Sequence, residues 1–205
     1  MRVTAEKLGK RYNREWVFRN FDFTFEQGNT YAITGPNGSG KSTLLQVLWG
    51  QLPQSTGLMK YEMNGREISI TEIFQHLSIA TPYMELIDEF TLVEMVEFHF
   101  KFKKIRGGRT IEELLNLMEL SHARAKHISN FSSGMKQRLK LALAFYSDTP
   151  LIFLDEPSTN LDKKSTEWYM KNLLGLPNEC AVFIASNQEH EYPANSVKID
   201  IMRFK

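Results

Sequence analysis

The chain carries two short segments whose residue types and spacing could do chemistry. In the first, Gly35-Pro36-Asn37-Gly38-Ser39-Gly40-Lys41-Ser42-Thr43, glycines alternate with small polar residues ahead of a lysine and two hydroxyls. Glycines let successive backbone N–H groups turn inward around an anion, and a helix starting at the lysine points its positive end at the same place. This is the pattern of a loop that cradles the phosphates of a nucleoside triphosphate. It assigns Lys41 to the β- and γ-phosphates, Ser42 to a magnesium ion and Thr43 to the α-phosphate. In the second, Leu151-Ile152-Phe153-Leu154-Asp155-Glu156, an apolar run ends in two carboxylates. A carboxylate at the end of a buried strand beside the phosphate loop would hold the magnesium ion, which is the Asp155 role. Glu156, next to it, would orient and deprotonate an attacking water.

These residues need strands behind them and helices after them, and the pattern of the chain supplies both. Apolar and polar residues alternate over Phe21-Asp22-Phe23-Thr24-Phe25, as in a half-buried strand. Gln27-Gly28-Asn29 breaks it, and a strand over 30–34 leads into the glycine loop and a helix over 42–49. Asn64-Gly65 marks a hairpin. Thr91-Leu92-Val93-Glu94 and Thr110-Ile111-Glu112-Glu113 each fit a capping box, and a third helix is predicted from Ser132 or Ser133 through Ala144. Leu151 to Leu154 and Ala181 to Ala185 read as strands buried on both faces, with a helix over 162–174 between them. The alternation from Val197 to Phe204 predicts a closing edge strand.

Composition sets outer bounds. The 205 residues are 42% apolar and 24% charged, enough for a real core, and 25 Lys and Arg against 24 Asp and Glu leave a net charge of +1. That balance argues against a protein built to neutralise nucleic-acid phosphates, and no nucleic-acid partner is expected. No apolar stretch approaches the ~20 residues of a membrane span, and the N-terminus has no secretory signal pattern. Cys180, the one cysteine, lies in an apolar run and reads as a buried, inert thiol. Lys101, Lys103, Lys104, Arg106 and Arg109 form the one marked basic cluster, either a solvated loop or a contact for lipid headgroups, an acidic partner loop or nucleic acid. Met84, Phe90, Met95, Phe98 and Phe102 form an apolar set that reads as core or as a partner groove.

A third segment narrows the family. Phe131-Ser132-Ser133-Gly134-Met135-Lys136-Gln137-Arg138 resembles the signature motif of ABC-type ATPases, usually LSGGQ followed by a Gln-Arg pair. Pro157-Ser158-Thr159-Asn160-Leu161-Asp162 resembles the family's D-loop, and the motifs stand in the family's order over essentially the whole chain. The resemblance implies an α/β fold: a P-loop NTPase, RecA-like core with an antiparallel β subdomain (1–82 and 149–205) and an inserted α-helical subdomain (83–148), forming one domain. It implies that two such domains stack head to tail around ATP, with Ser132 and the Gly134 N–H reaching the partner's γ-phosphate. It also places Tyr12 as the aromatic that stacks on adenine.

Three motifs depart from the family pattern. The signature has Ser133 and Met135 where a glycine and a glutamine are usual, and Met135 cannot donate hydrogen bonds. Where the family's Q-loop glutamine belongs, the chain reads Thr81-Pro82-Tyr83, which puts the metal contact and the link to a membrane partner in question. Asn187 stands at the switch histidine; it can donate a hydrogen bond but cannot carry a proton, so slow hydrolysis is expected. His190, three residues further on, reads as an exposed helix residue. The resulting expectation is the ATP-binding and ATP-hydrolysing subunit of an ABC transporter. It would pair with a second ABC ATPase domain, as a homodimer or heterodimer, and with membrane-embedded permease subunits, at the cytoplasmic side of the membrane. The competing readings are a soluble, non-transport ABC ATPase and a degenerate ATP-binding regulatory subunit.

Overall fold

Short runs of apolar, β-branched and aromatic residues assemble into the sheet that carries every candidate residue of the phosphate site. The computed structural model describes residues 1–205. Its parallel sheet has the order β6 (Leu77–Ala80), β7 (Leu151–Asp155), β8 (Ala181–Ala185), β3 (Thr30–Thr34) and β9 (Val197–Asp200). Every residue of β7 and β8 is buried, as their unbroken apolar runs require. A second, antiparallel sheet has the order β2 (Glu15–Glu26), β1 (Arg2–Tyr12), β4 (Thr56–Met63) and β5 (Arg66–Ile68), with the Asn64-Gly65 turn joining the last two.

Side chains alternate between faces of a strand, and this period of two divides the core. Ala32, Ala80, Ile152, Leu154, Val182 and Ile184 face the helices α2 (Leu92–His99), α3 (Ile111–Leu117), α4 (Ser133–Tyr146) and α5 (Lys163–Leu174). Ile33, Leu77, Leu151, Phe153, Phe183 and Ala185 face α1 (Lys41–Leu48) and the antiparallel sheet. On that second face Phe153 stacks on Phe183 at 4.4 Å between ring centroids and meets Trp49 edge-on at 5.5 Å. Both predicted capping boxes form, with Thr91 starting α2 and Thr110 starting α3.

Some expectations need correction. The closing strand stops at Asp200; Ile201–Phe204 turns into a 3-10 helix that folds back, setting Phe204 edge-on against Phe21 at 4.7 Å. The basic cluster is not one solvated surface. Arg106 reaches inward to the carbonyls of Phe145, Ser147 and Thr149 at 3.1, 2.7 and 3.0 Å and to the Cys180 sulfur at 3.2 Å. Lys103 donates to the Leu77 carbonyl at 2.9 Å, so these two cations satisfy carbonyls at the end of α4 and at the starts of β6 and β7. Cys180 is buried, and burial pushes its thiol above the usual range. Of the apolar set, Met95 is buried and Phe90 packs edge-on against Phe98, whereas Phe102 is exposed. His190 is exposed in a 3-10 turn.

Because Phe153 fills the contact between the parallel sheet and α1, Phe153→Ala leaves a cavity that the close-packed surroundings cannot fill. It is expected to cost about 3–5 kcal/mol of stability, read as a shift of the urea midpoint at unchanged slope.

Candidate active site

In an open parallel sheet, the strands' carboxyl ends form the edge where ligands settle. Here four segments leave that edge side by side: the glycine loop after β3, 81–83 after β6, Asp155-Glu156 from β7 and 186–188 after β8. Gly35 has φ +146° and Gly40 has φ +97°, both on the left-handed side. A side chain at Gly35 would collide with Ser39 and Ile201, and one at Gly40 with Val17. The tight ring of backbone amides therefore demands glycine at these two positions for both torsion and space.

Lys41 opens α1 and is only 4% exposed; its ammonium donates to the carbonyls of Gly35 and Pro36 at 3.0 and 3.1 Å. Asp155 ends β7 at 3% exposure, and its Oδ1 is buried with no hydrogen-bond partner. Burial pushes the Asp155 carboxyl up to about 6, against the pull of the Ser42 hydroxyl and of Lys41. An orphaned carboxylate oxygen beside a serine hydroxyl and a buried lysine is a donor set that fits a hard divalent cation with phosphate. Glu156 follows in the left-handed region, φ +43°, and its N–H donates to the Ala185 carbonyl at 2.9 Å. A non-glycine residue held there is strained and stays only where its surroundings fix it.

Asn187 reaches the glycine loop directly, its Nδ2 donating to Asn37 Oδ1 at 2.9 Å. Loop 81–83 is held by a residue that the sequence reading passed over. The Lys140 ammonium, on α4 and almost fully buried, donates to the carbonyls of Thr81 and Pro82 at 3.3 and 2.9 Å. Burial lowers its pKa, with Lys136 adding to the effect. The signature helix thus grips the loop through Lys140, while Pro82 itself offers no side-chain donor or acceptor.

The signature residues lie elsewhere. Ser132 caps α4, its Oγ accepting from the Met135 N–H at 3.2 Å. Ser132, Ser133, Gly134 and Met135 line a cavity of about 430 Å³ together with Asp162 and Arg138, and no residue of the glycine loop reaches it. A Cβ on Gly134 would stand 2.9 Å from the Asn160 carbonyl, so the approach of the D-loop requires glycine there. The Met135 side chain packs against the helical core. Gln137 ties the two motifs, donating to the Pro157 carbonyl at 2.9 Å. Asp162 caps α5 by accepting from the Ser165 N–H at 2.7 Å, and hydrogen bonding from the Ser165 side chain and backbone holds its carboxyl below the usual range. Tyr12, 50% exposed at the end of β1, has the Lys10 ammonium 5.2 Å from its ring centroid.

The strained ionisation of Asp155 makes a signed prediction for the unliganded protein. Its folded pKa lies above the unfolded value, so its contribution is fully present below pH 4 and is lost as pH rises through 6. Asp155→Asn is therefore expected to raise unfolding free energy by about 3 kcal/mol at pH 7.5 and by nothing measurable near pH 4. Urea titrations at the two pH values test this; an equal effect at both would contradict it.

Comparison with known proteins gives the family. The model of the ABC transporter family matches residues 18–159. The cytochrome c biogenesis ATP-binding export protein CcmA of Mesorhizobium japonicum is 35% identical over 80% of the chain and 81% of its own length. The lipoprotein-releasing system ATP-binding protein LolD of Cytophaga hutchinsonii is 32% identical over 80% of the chain and 79% of its own. A dimeric bacterial ABC transporter cassette superposes with a TM-score of 0.75 at 25% identity, covering 91% of this chain and 88% of that one. The family model covers more than half of the chain, and the chain belongs to the ABC transporter family of ATP-hydrolysing subunits.

Proposed function

We propose that two copies of this chain close face to face on two ATP molecules, and that the cycle of closure and hydrolysis drives transport through separate membrane subunits. The observation that carries this reading is the split of the site. The glycine loop, Asp155, Glu156 and Asn187 meet at one sheet edge, while Ser132 and Gly134 open into a different cavity with the D-loop. A second copy would bring its signature cavity to the first copy's phosphates.

In this reading the amides of Gly35 to Gly40 and the side chains of Lys41 and Thr43 bind the phosphates, and Tyr12 stacks on the adenine. Ser42 and Asp155 would hold magnesium, which neutralises phosphate charge when bound. Glu156 orients the attacking water and takes its proton as the γ-phosphate leaves ADP. Asn187 and the partner's signature serine and glycine donate hydrogen bonds to the γ-phosphate. Because Asn187 cannot carry a proton, the step runs slowly. ATP favours the closed pair and its hydrolysis releases it, shifting the membrane subunits between conformations.

No helix is long and apolar enough to cross a membrane, so the permease would be another chain. We assign its docking to a groove of about 540 Å³ lined by Trp49, Ile70, Phe74, Tyr83 and Met84, with Asp155 also in its lining. Phe74 and Tyr83 there are 60% and 84% exposed, apolar surface that suits a buried helix of a partner. Such docking would hold the chain at the cytoplasmic face of the membrane.

Steady-state ATPase activity measured against protein concentration tests the reading. Turnover per chain should rise with concentration, and Lys41→Ala and Glu156→Gln should each abolish it. Asn187→His should raise kcat by about a hundredfold, the low end of what one positioned proton carrier contributes. Turnover independent of concentration, or unaffected by Glu156→Gln, would overturn it.

A further inference from the structure

Glu191 is 1% exposed and pairs with no cation, yet its carboxylate is fully bonded. Oε1 accepts from the Ser158 N–H at 2.9 Å and from the Ser158 hydroxyl, and Oε2 accepts from the Ser186 hydroxyl. Its own carbonyl accepts from the Tyr169 hydroxyl on α5 at 2.6 Å, which fixes the backbone from behind. A buried carboxylate is costly to keep unless donors surround it, and an apolar residue would fill the same space without that cost. What the carboxylate adds is a connection: Ser158 lies two residues after Glu156, and Ser186 immediately precedes Asn187.

The connection closes a circuit. At one end the Glu156 N–H donates to Ala185, and at the other Ser158 and Ser186 are clamped by one carboxylate. Ser186 is further held by its N–H on the Ile33 carbonyl at 3.1 Å and by its Oγ accepting from the Gln188 N–H at 2.8 Å. Glu156 sits inside this ring with its left-handed backbone, a conformation that needs outside support. We propose that Glu191 is a positioning residue: it locks the D-loop to the Asn187 segment, so that Glu156 and Asn187 are presented to the γ-phosphate as one unit. The proposal rests on the site reading above and adds to it a residue that touches neither ATP nor water.

The test compares Glu191→Ala and Glu191→Gln for steady-state turnover and for binding of magnesium with an imido-bridged ATP analogue. Glutamine keeps an acceptor for Ser158 and can donate to Ser186, whereas alanine breaks both links. Misplacing catalytic groups slows chemistry without weakening ground-state binding, so Glu191→Ala should lose about ten- to a hundred-fold in kcat. Its analogue Kd should stay within about threefold of the parent's, and Glu191→Gln should recover most of the turnover. If Glu191→Ala does not fold, Ser158→Ala and Ser186→Ala replace it: each should lower kcat, and the double variant should be no slower than the worse single one. Parental kcat in Glu191→Ala, parallel loss of analogue binding, failure of Glu191→Gln to recover turnover, or serine effects that multiply would each overturn the proposal. Glu156→Gln separates the two levels. If it abolishes turnover while Glu191→Ala does not, only the clamp is wrong; if it leaves turnover intact, the site reading falls and the clamp with it.

Discussion

The rest of the structure depends on two opposite charges buried within one site and not spent on each other. Lys41 directs its ammonium at the carbonyls of its own loop, and Asp155 keeps one carboxylate oxygen with no partner. An ion pair between them would stabilise the empty protein and block the site. Held apart, each is left for a ligand that carries both signs, and a magnesium-bound polyphosphate has that character. Stability given up in the empty state becomes available when the ligand binds, because desolvated charge interacts more strongly than hydrated charge.

Keeping such charges in place needs rigid supports, and the sheet provides them. β7 is buried on both faces, with Phe153 stacked on Phe183 and Ile152 and Leu154 facing the helices, so its last residue has little freedom. The glycine loop is braced from behind by Val17 and Ile201, which fill the space that glycine leaves. Lys140 and Glu191 then fasten the loops on either side, one from the signature helix and one from the far side of the sheet edge.

Much of this was readable from the chain because its information is local. The glycine loop, the apolar run into Asp155, the Asn64-Gly65 turn and both capping boxes depend on residues within a few positions of one another. The missed features have partners far away: Arg106 bonds a carbonyl 43 residues on, and Glu191 clamps Ser158 from 33 residues away. A basic run such as 101–109 reads as surface when its acceptors, carbonyls at helix and strand ends, have no sequence signature. The last strand was overextended for a related reason. Alternation continues past Asp200, but tertiary packing of Ile201 under the glycine loop and Phe204 on Phe21 overrides it. Met135 lines the signature cavity with Ser132 and Gly134 and also packs against the helical core, a placement that its position in the motif does not reveal.

The central claim is that one copy holds only half of each catalytic site, and sedimentation of the Glu156→Gln variant tests it most directly. With turnover blocked, magnesium and ATP should convert a monomer into a dimer in which one nucleotide is bound per chain. A charge placed in the signature cavity by Ser132→Asp should abolish the dimer while leaving nucleotide binding by the monomer intact. A variant that binds ATP stoichiometrically yet sediments as a monomer at every concentration would contradict the account.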